Sequence, residues 1–313
     1  MCTAILFKCK DAYFGRNLDL EQGYGEQVVI TPRNYPLHFR LAAPMPSHYA
    51  MIGMAAVMEN YPLYFEATNE KGLSMAGLNF PENAVYFPPA PSKQNVAPFE
   101  FILWVLGQCA TVAEARKLLQ NTRLVNVNFS ESLPLSPLHW MISDRECSIV
   151  AESTADGLRV WDNPFEVLTN NPPFAYHRIN MSNYMSLHTG PAVSRFGTAL
   201  PLGNYSLGMG AMGLPGDFSS VSRFVRAFFV KENAVPGRTE KECVNQFIHI
   251  LQSVAMPKGC VFTPNGFEYT RYSSCCNADK GIYYYTTYDN FTVTSVDMHQ
   301  ADLDCCQLIT HPV

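Results

Sequence analysis

The order of strand-like and helix-like segments constrains the fold of this 313-residue chain more than any other feature. Short apolar segments typical of strands fill the first part of the chain, at 2–7, 12–17, 28–31, 49–53 and 73–78. Two helix patterns, a second group of strands, a second pair of helices and three final strands follow. Short connections and the lack of strand–helix–strand alternation favour antiparallel sheets covered by helices over a doubly wound parallel sheet.

Capping residues and apolar spacing locate the helices. The first is predicted at 99–106, and Thr111 to Glu114 forms a capping box that opens a second helix reaching about residue 120. A third helix follows Asp217, with apolar side chains at the spacing of one buried helix face, namely at Val221, Phe224, Val225, Phe228 and Phe229. The capping box Thr239 to Glu242 begins a fourth, predicted to run to about Met256.

The remaining segments are predicted as strands. They lie at 124–127, 140–143, 148–152, 159–161 and 166–169, and near the end of the chain at 267–275, 281–288 and 291–297. No repeat or low-complexity tract separates these groups, and the proline-rich stretch 88–91 is too short for a domain linker. The sequence therefore predicts one domain spanning residues 1–313.

Composition excludes several classes of function. With 22 Lys and Arg against 27 Asp and Glu, the formal charge is -5, so the chain has no basic surplus for a nucleic-acid partner. Hydrophobic residues make up 47% and charged residues 16%, which predicts a large buried interior. No apolar run approaches the roughly 20 residues of a membrane span, so membrane insertion is not expected. The N-terminus lacks the pattern of an export signal, and a cytoplasmic location with mostly reduced cysteines is expected.

Cys2 is the most informative single position. Methionine aminopeptidase removes Met1 when the next side chain is small, so the mature chain is expected to begin at Cys2 with a free α-amine. An α-amine titrates near ~7.7 to 8.0 and a thiol near ~8.5, so at neutral pH the amine is partly a base able to take the thiol proton. The alternative is that Cys2 is purely structural, because ten cysteines are spread over the chain and one could occur at position 2 by chance.

Two observations favour the catalytic interpretation of Cys2. A lipidated cysteine is usually followed by a polar tether, whereas residues 3–7 have the pattern of a core strand. Such a strand would hold the terminus at a sheet edge. The next strand ends by placing Arg16 and Asp19 three residues apart. A partly buried ion pair of these two side chains next to Cys2 would anchor the ammonium group and favour the thiolate. A surface ion pair is the alternative.

Signals for metals, cofactors and nucleotides are weak. The eight histidines contain no H-E-x-x-H and the cysteines no C-x-x-C, so no metal site is predicted. Residues 208–213 fit G-x-G-x-x-G, but no strand leads into them and Pro215 interrupts the helix that should follow. The adjacent cysteines at 275–276 and 305–306 point to opposite faces and are expected to pack rather than to share a ligand.

A specific family resemblance emerges from several motifs taken together. They are Met1-Cys2-Thr3, Phe14-Gly15-Arg16-Asn17-Leu18-Asp19, Gly72 to Pro81, Leu168-Thr169-Asn170-Asn171-Pro172, Gly213 to Asp217 and Ser222-Arg223-Phe224. In this order the chain resembles the choloylglycine hydrolases, which include bile-salt hydrolases and penicillin V acylases. The resemblance implies an α+β fold of the N-terminal-nucleophile hydrolase type, with four layers in which two antiparallel sheets lie between helices.

The resemblance also implies roles for individual residues. Cys2 would be the nucleophile, and Arg16 and Asp19 would hold its thiol and amine. The side-chain amide of Asn170 and the backbone N–H of Asn79 would donate to the oxyanion, where one donor is typically worth ~2.7 to 4 kcal/mol. Arg223 would complete the polar support of the site, although it lies opposite the apolar stripe of its helix and periodicity alone predicts a solvated side chain. For Asn171 a polar turn before Pro172 is the simpler interpretation.

The activity implied by the resemblance is hydrolysis of the amide that joins a steroid acid to glycine or taurine, with no cofactor. Asn79 resembles the bile-salt branch of the family, in which a conjugated bile acid would contact Leu18, Leu20, Phe65 and Phe80. A homotetramer is implied as well. A penicillin V acylase or an N-acyl-homoserine lactone acylase on the same fold is the nearest alternative. A catalytically silent bile-acid binder and a thiol redox protein are more remote ones.

Overall fold

The computed structural model describes residues 1–197 and 200–313. The strands are β1 (Cys2–Lys8), β2 (Ala12–Leu20), β3 (Glu26–Thr31), β4 (Met51–Met58), β5 (Tyr61–Asn69), β6 (Ser74–Asn79), β7 (Gln94–Val96), β8 (Thr122–Leu124), β9 (Leu138–Ser143), β10 (Ser148–Thr154), β11 (Gly157–Asp162), β12 (Val167–Leu168), β13 (Val261–Thr263), β14 (Gly266–Asn277), β15 (Ile282–Thr287), β16 (Thr294–Asp297) and β17 (Ile309–Pro312). The α-helices are α1 (Phe101–Leu106), α2 (Val112–Leu119), α3 (Phe174–Asn180), α4 (Ser220–Asn233) and α5 (Glu240–Gln252).

Two large antiparallel sheets organise the molecule. One has seven strands in the order β12-β1-β2-β14-β15-β16, with β13 pairing β14, and the other has eight in the order β11-β10-β9-β6-β5-β4-β3-β17. A small parallel pair, β7 and β8, lies apart from both. The predicted α+β class is confirmed.

Two apolar cores bind the layers together. Alternate residues of the eight-stranded sheet point to opposite sides, so Ala76 belongs to the cluster shared with β1 and β2, while Met75 packs with Phe101 of α1. On the far side of the seven-stranded sheet, Phe224 of α4 and Phe247 of α5 complete the first cluster. The layers therefore run helices, sheet, sheet, helices, as expected from the family resemblance.

Local sequence signals account for the helix ends. Thr111 accepts a hydrogen bond from the backbone N–H of Glu114, and Thr239 and Glu242 form a reciprocal capping box. The helix after Thr239 ends at Gln252, earlier than the predicted Met256. None of the helices in the described part of the chain has the length and apolar character needed to cross a bilayer.

Some elements were not predicted from the sequence. Strand β5 was missed, since Pro62 near its start breaks the usual strand pattern. Helix α3 is only seven residues long and follows two prolines. The strand predicted at 124–127 was misplaced, because pairing with β7 ends at Leu124.

Candidate active site

Cys2 begins β1 and is almost fully buried, with 3% of its surface exposed. It pairs with Leu18 across the β1–β2 ladder. Its backbone N–H donates to Oδ1 of Asn170 at 2.8 Å, just beyond the end of β12, the other strand beside β1. Cys2 therefore lies between β2 on one side and the segment that follows β12 on the other.

Arg16 approaches Cys2 from the space between the two sheets. Its Nη1 donates to the carbonyl oxygens of Phe65 at 3.0 Å and Gly77 at 2.5 Å, both in the eight-stranded sheet. Its Nε lies 3.8 Å from a carboxylate oxygen of Glu66. Burial opposes the charge, but the Cys2 thiol and the other nearby acidic groups hold the pKa of Arg16 above its ordinary value.

Asp19 lies on the opposite face of β2, toward the helices. Thr270 donates its hydroxyl to Oδ1 of Asp19 at 2.6 Å, and Nη1 of Arg223 lies 3.9 Å from Oδ2. The predicted ion pair between Arg16 and Asp19 is wrong: within the described residues each has a different charged partner. Arg16 and Asp19 are three residues apart on one strand, so their side chains point to opposite faces of the sheet. Their closeness in the sequence gave no sign of this.

Arg223 is fully buried, so the solvated side chain predicted from the helix periodicity is wrong. Its Nη1 donates to the carbonyl oxygen of Cys2 at 2.5 Å and to Oγ1 of Thr3 at 2.7 Å, and its Nη2 donates to Oδ1 of Asn170 at 2.8 Å. Burial lowers the pKa of this guanidinium, while Asp19 opposes that change. The buried face of α4 carries Arg223 beside Phe224 and Ala227, and is rotated from the predicted apolar stripe, whose Val221, Phe228 and Phe229 are only partly buried.

The amide of Asn170 has a fixed orientation. Its Oδ1 accepts from Cys2 and Arg223, and its Nδ2 donates to the carbonyl oxygen of Asn79 at 2.7 Å. An amide NH₂ has two hydrogens, and within the described residues one of them has a partner. Asn171 donates instead to the carbonyl oxygen of Pro81 at 2.7 Å, which agrees with a role in the turn.

Met1 extends the β1–β2 pairing by one residue. Its amine donates to the carbonyl oxygen of Asp19 at 2.8 Å and contacts the carboxylate of Glu268, and its own carbonyl oxygen accepts from the N–H of Asp19 at 3.0 Å. Burial lowers the pKa of this amine from its ordinary value. Sequence reasoning missed Glu268 and Thr270, because they belong to a strand far away in sequence that carries no recognisable motif.

The four predicted substrate contacts differ in exposure. Leu20 and Phe65 are partly exposed near Tyr24, whose ring lies 6.3 Å from that of Phe65, whereas Leu18 is buried. Phe80 has no exposed surface, and its ring stacks on His139 at 4.3 Å. A direct contact of Phe80 with substrate therefore does not fit the structure, because the ring is covered on all sides.

No group of three or more His, Cys, Asp or Glu side chains within residues 1–197 and 200–313 is arranged to hold a metal ion. All ten cysteines are free thiols. The chemistry that the site offers comes from a buried thiol, an amide donor and two guanidinium groups.

Comparison with known proteins assigns this geometry to a family. The sequence model of the linear amide C–N hydrolases, choloylglycine hydrolase family, matches residues 2–311. The chain belongs to the choloylglycine hydrolase family. A bile salt hydrolase/transferase of Lactiplantibacillus plantarum is 52% identical over 314 residues, covering 100% of this chain and 97% of that protein.

Solved structures agree with the family assignment. A variant of the conjugated bile acid hydrolase from Clostridium perfringens has a TM-score of 0.92 at 35% identity, covering 100% of this chain and 97% of that one. The penicillin V acylase of Agrobacterium tumefaciens has a TM-score of 0.78 at 19% identity, covering 99% and 90%, which shows a shared fold.

Proposed function

We propose that this choloylglycine hydrolase cleaves the amide bond of glycine- or taurine-conjugated bile acids, with Cys2 as nucleophile after removal of Met1. The observation that carries the proposal is the convergence of Asn170 and Arg223 on the buried first residue of β1, at 2.8 Å and 2.5 Å. The high identity to a bile salt hydrolase/transferase supports the choice of substrate.

Removal of Met1 would convert the backbone nitrogen of Cys2 into an α-amine. This nitrogen lies one residue further inside than the amine of Met1, whose pKa burial already lowers. An ordinary α-amine titrates near ~7.7 to 8.0, so at neutral pH part of it is free base. Asp19 and Arg223 lie on the helix side of this nitrogen, and Arg16 lies on the other side beside the thiol.

In the acylation step, the Cys2 amine accepts the thiol proton and Sγ attacks the amide carbon of the substrate. The developing oxyanion would receive the free hydrogen of Asn170 Nδ2 and the backbone N–H of Asn79. The amine then returns its proton to the leaving nitrogen as the C–N bond breaks. A thioester to Cys2 remains, and glycine or taurine departs.

Water activated by the same amine would hydrolyse the thioester and release the steroid acid. An amino acid could replace water at this step and form a new amide. The name hydrolase/transferase of the 52% identical relative supports this second outcome of the same intermediate.

Apolar burial would dominate substrate binding. Leu20 and Phe65 are partly exposed, Tyr24 lies against Phe65 with ring centroids 6.3 Å apart, and buried Leu18 pairs with Cys2 across β1 and β2. A steroid offers several hundred Å² of apolar surface, on the order of 5 kcal/mol at ~25 cal/mol per Å². A solvated carboxylate or sulfonate offers a rim ion pair of ~0 to 1 kcal/mol. The steroid should therefore determine affinity more than the amino acid does.

Two other activities remain as alternatives with weaker support. The penicillin V acylase shares the fold at 19% identity, which does not carry its substrate to this chain. An N-acyl-homoserine lactone acylase is an alternative from the family resemblance alone. A non-catalytic bile-acid binder would need no network around Cys2, so the buried contacts of Arg223 disfavour it.

We also propose that the chain forms a single domain, that it assembles into a homotetramer and that it is located in the cytoplasm. Assembly is supported by a segment of the chain, here named the apolar arm, that carries seven exposed apolar side chains, namely Val193, Phe196, Leu200, Leu202, Tyr205, Leu207 and Met212. Exposed apolar clusters of this kind mark interaction sites. A cytoplasmic location suits ten free thiols.

The decisive experiment combines mass spectrometry of the purified protein with turnover of glycocholate, taurocholate and penicillin V. We expect a mass without Met1 and turnover of both bile salts. Their specificity constants should lie within about tenfold of each other, because the amino-acid part contributes ~0 to 1 kcal/mol and 1.4 kcal/mol corresponds to a factor of ten. Cys2→Ala should abolish turnover, while Cys109→Ala, another buried cysteine, should retain it. Preference for penicillin V would replace the proposed substrate, and an active Cys2→Ala would refute the mechanism.

A further inference from the structure

His139 is a buried histidine behind the site, and the proposed mechanism gives it no role. It lies in β9, opposite Leu78 of β6, and has no exposed surface. Its Nδ1 is 3.2 Å from Oε1 of Glu152, and its Nε2 is 2.9 Å from the carbonyl oxygen of Thr169. Both ring nitrogens therefore face acceptors.

The other partners of Glu152 are donors. The backbone N–H of Phe174 donates to Oε1 at 2.9 Å, and Nε1 of Trp161 donates to Oε2 at 3.1 Å. Because a carbonyl oxygen can only accept, Nε2 of His139 donates to Thr169, and Nδ1 lies against the carboxylate of Glu152. Glu152 holds the imidazole ring in the orientation that makes it a donor to Thr169.

Through two contacts, His139 touches the chain neighbours of both proposed oxyanion donors. Thr169, whose carbonyl it binds, directly precedes Asn170. Phe80, on which its ring stacks at 4.3 Å with an interplanar angle of 5°, directly follows Asn79. The two donors come from different strands, β6 and the end of β12, and His139 lies between the strand ends.

We propose that His139, oriented by Glu152, is a positioning residue that aligns the Asn170 amide and the Asn79 N–H toward one oxyanion. This inference rests on the proposed function, because it requires an acyl-transfer reaction at Cys2. His139 itself touches neither the nucleophile nor the expected position of the substrate.

The remaining polar groups next to Asn170 strengthen the argument. The Asn170 N–H donates to Oγ of Ser220 at 2.8 Å, and its carbonyl oxygen accepts from His177 at 3.1 Å. Three buried side chains thus fix the peptide groups on both sides of Asn170. Among them His139 alone also contacts the strand end that carries Asn79, within the described residues.

The test compares two substitutions that each retain one half of the ring. In His139→Gln the amide nitrogen can take the place of Nε2 and still donate to Thr169, whereas in His139→Asn it takes the place of Nδ1 and reaches only Glu152. We expect His139→Asn to lower kcat about tenfold to a hundredfold, as for other residues that orient a reacting group. His139→Gln should recover at least a third of the wild-type kcat, and KM should change less than threefold in both.

A second readout reports the oxyanion contact itself. The aldehyde analogue of cholic acid adds to Cys2: Sγ bonds to the carbonyl carbon and the thiol proton passes to the oxygen, which then occupies the oxyanion position. Its inhibition constant should rise by the same factor by which kcat falls, while the affinity for cholate stays within twofold. A loss of stability alone would not produce this parallel change.

The matched control is His48→Gln. His48 is also buried, and both of its ring nitrogens lie 2.8 Å from backbone carbonyl oxygens, of Tyr49 and Tyr35, on the opposite side of the eight-stranded sheet. This variant should lose thermal stability but keep kcat and the aldehyde inhibition constant within twofold. If His139→Asn does not fold, Phe80→Leu, which removes the ring that stacks on His139, is measured in the same way and should lower kcat without raising KM.

The outcomes separate this inference from the proposed function. Wild-type turnover of glycocholate with unchanged kcat in His139→Asn, or equal losses in the Gln and Asn variants, would overturn the role of His139 and leave the function intact. If the wild type cleaves penicillin V instead, the same ratios are measured on that amide. If it cleaves neither amide, both conclusions fall.

Discussion

At the scale of single residues, the site is defined by which face of β2 each side chain occupies. Arg16 points between the sheets to Glu66, and Asp19 points toward α4 and Arg223. Two opposite charges that are close in sequence therefore act on Cys2 from two sides. Each belongs to a separate buried pair, and breaking a buried pair typically costs about 3 to 5 kcal/mol.

A double-mutant cycle tests this separation. In urea unfolding, Asp19→Asn and Arg223→Gln should show a coupling free energy of at least about 1 kcal/mol, because each removes the charged partner of the other. The coupling between Arg16→Gln and Asp19→Asn should be smaller than this, because the two side chains lie on opposite faces of β2 and have different ion-pair partners. A stronger coupling for Arg16 with Asp19 than for Asp19 with Arg223 would contradict the assignment of partners.

His177 makes a pH-dependent contribution to stability. Burial is the main cause that lowers its pKa to about 4, and within the described residues its Nδ1 has no hydrogen-bond partner to accept an added proton. The ordinary value is about 6.5, so between these values the unfolded chain binds more protons than the folded one. The free energy of unfolding should therefore fall as the pH drops from 6.5 to 4.

The expected loss over this range is up to about 3 kcal/mol, at ~1.36 kcal/mol per pKa unit. Urea unfolding at pH 7 and pH 4.5 should show a smaller difference for His177→Gln than for wild type. The exposed His38→Gln serves as control and should behave as wild type does. The same pH difference in all three proteins would exclude His177 as its source.

At the scale of secondary-structure elements, the close approach of β2 and β14 sets the position of the site. Gly15 lies directly before Arg16, and a Cβ at this position would meet the carbonyl oxygen of Ser274 at 2.0 Å. Backbone atoms cannot yield as a flexible side chain can. Only glycine at this position allows β14 to bring Thr270 to Asp19.

Gly15→Ala should therefore lower the free energy of unfolding by several kcal/mol, on the order of other overpacked core substitutions at about 1 to 3 or more. It should also reduce kcat, because β2 carries Arg16 and Asp19. Gly216→Ala, where a Cβ meets no atom within 4 Å and which lies outside the apolar arm, is the matched control and should change neither quantity. Thermal unfolding and turnover of glycocholate measure both effects, and a wild-type-like Gly15→Ala would show that the strands can separate without cost.

At the scale of the whole molecule, the apolar arm is the feature that a monomer leaves unexplained. Leu207 is 99% exposed and Tyr205 82% exposed, although each side chain would gain free energy by burial. Burial of this surface against other copies of the chain would account for it.

Substitution of the arm tests the proposed tetramer. The double variant Leu207→Asp with Tyr205→Asp should shift the mass measured by light scattering from a tetramer toward smaller species, because charges would have to be desolvated in the interface. Phe291→Asp, at another exposed aromatic position outside the arm (73% exposed), should leave the tetramer intact. A monomeric wild type, or a tetrameric arm variant, would disprove the assembly through this surface.

The sequence by itself determined the alternating groups of strands and helices apart from β5 and α3, the α+β class, the helix caps and the identity of the candidate nucleophile. These features depend on contacts between residues that are near in the chain, such as Thr239 with Glu242 or the apolar stripe of α4. The motifs around Cys2, Arg16 and Asn170 added the family, because their types and order are specific even without a structure.

Only the tertiary structure decided which side chains meet. Periodicity assigned Arg223 to solvent, yet it is buried, because the face of α4 that carries Arg223, Phe224 and Ala227 packs on the chain terminus at β1, 221 positions away in sequence. The partners of Asp19, the contact of Glu268 with Met1 and the stacking of Phe80 on His139 likewise join separate strands. Such contacts depend on strand order and on which face each residue occupies, and a single sequence contains no local signal for either.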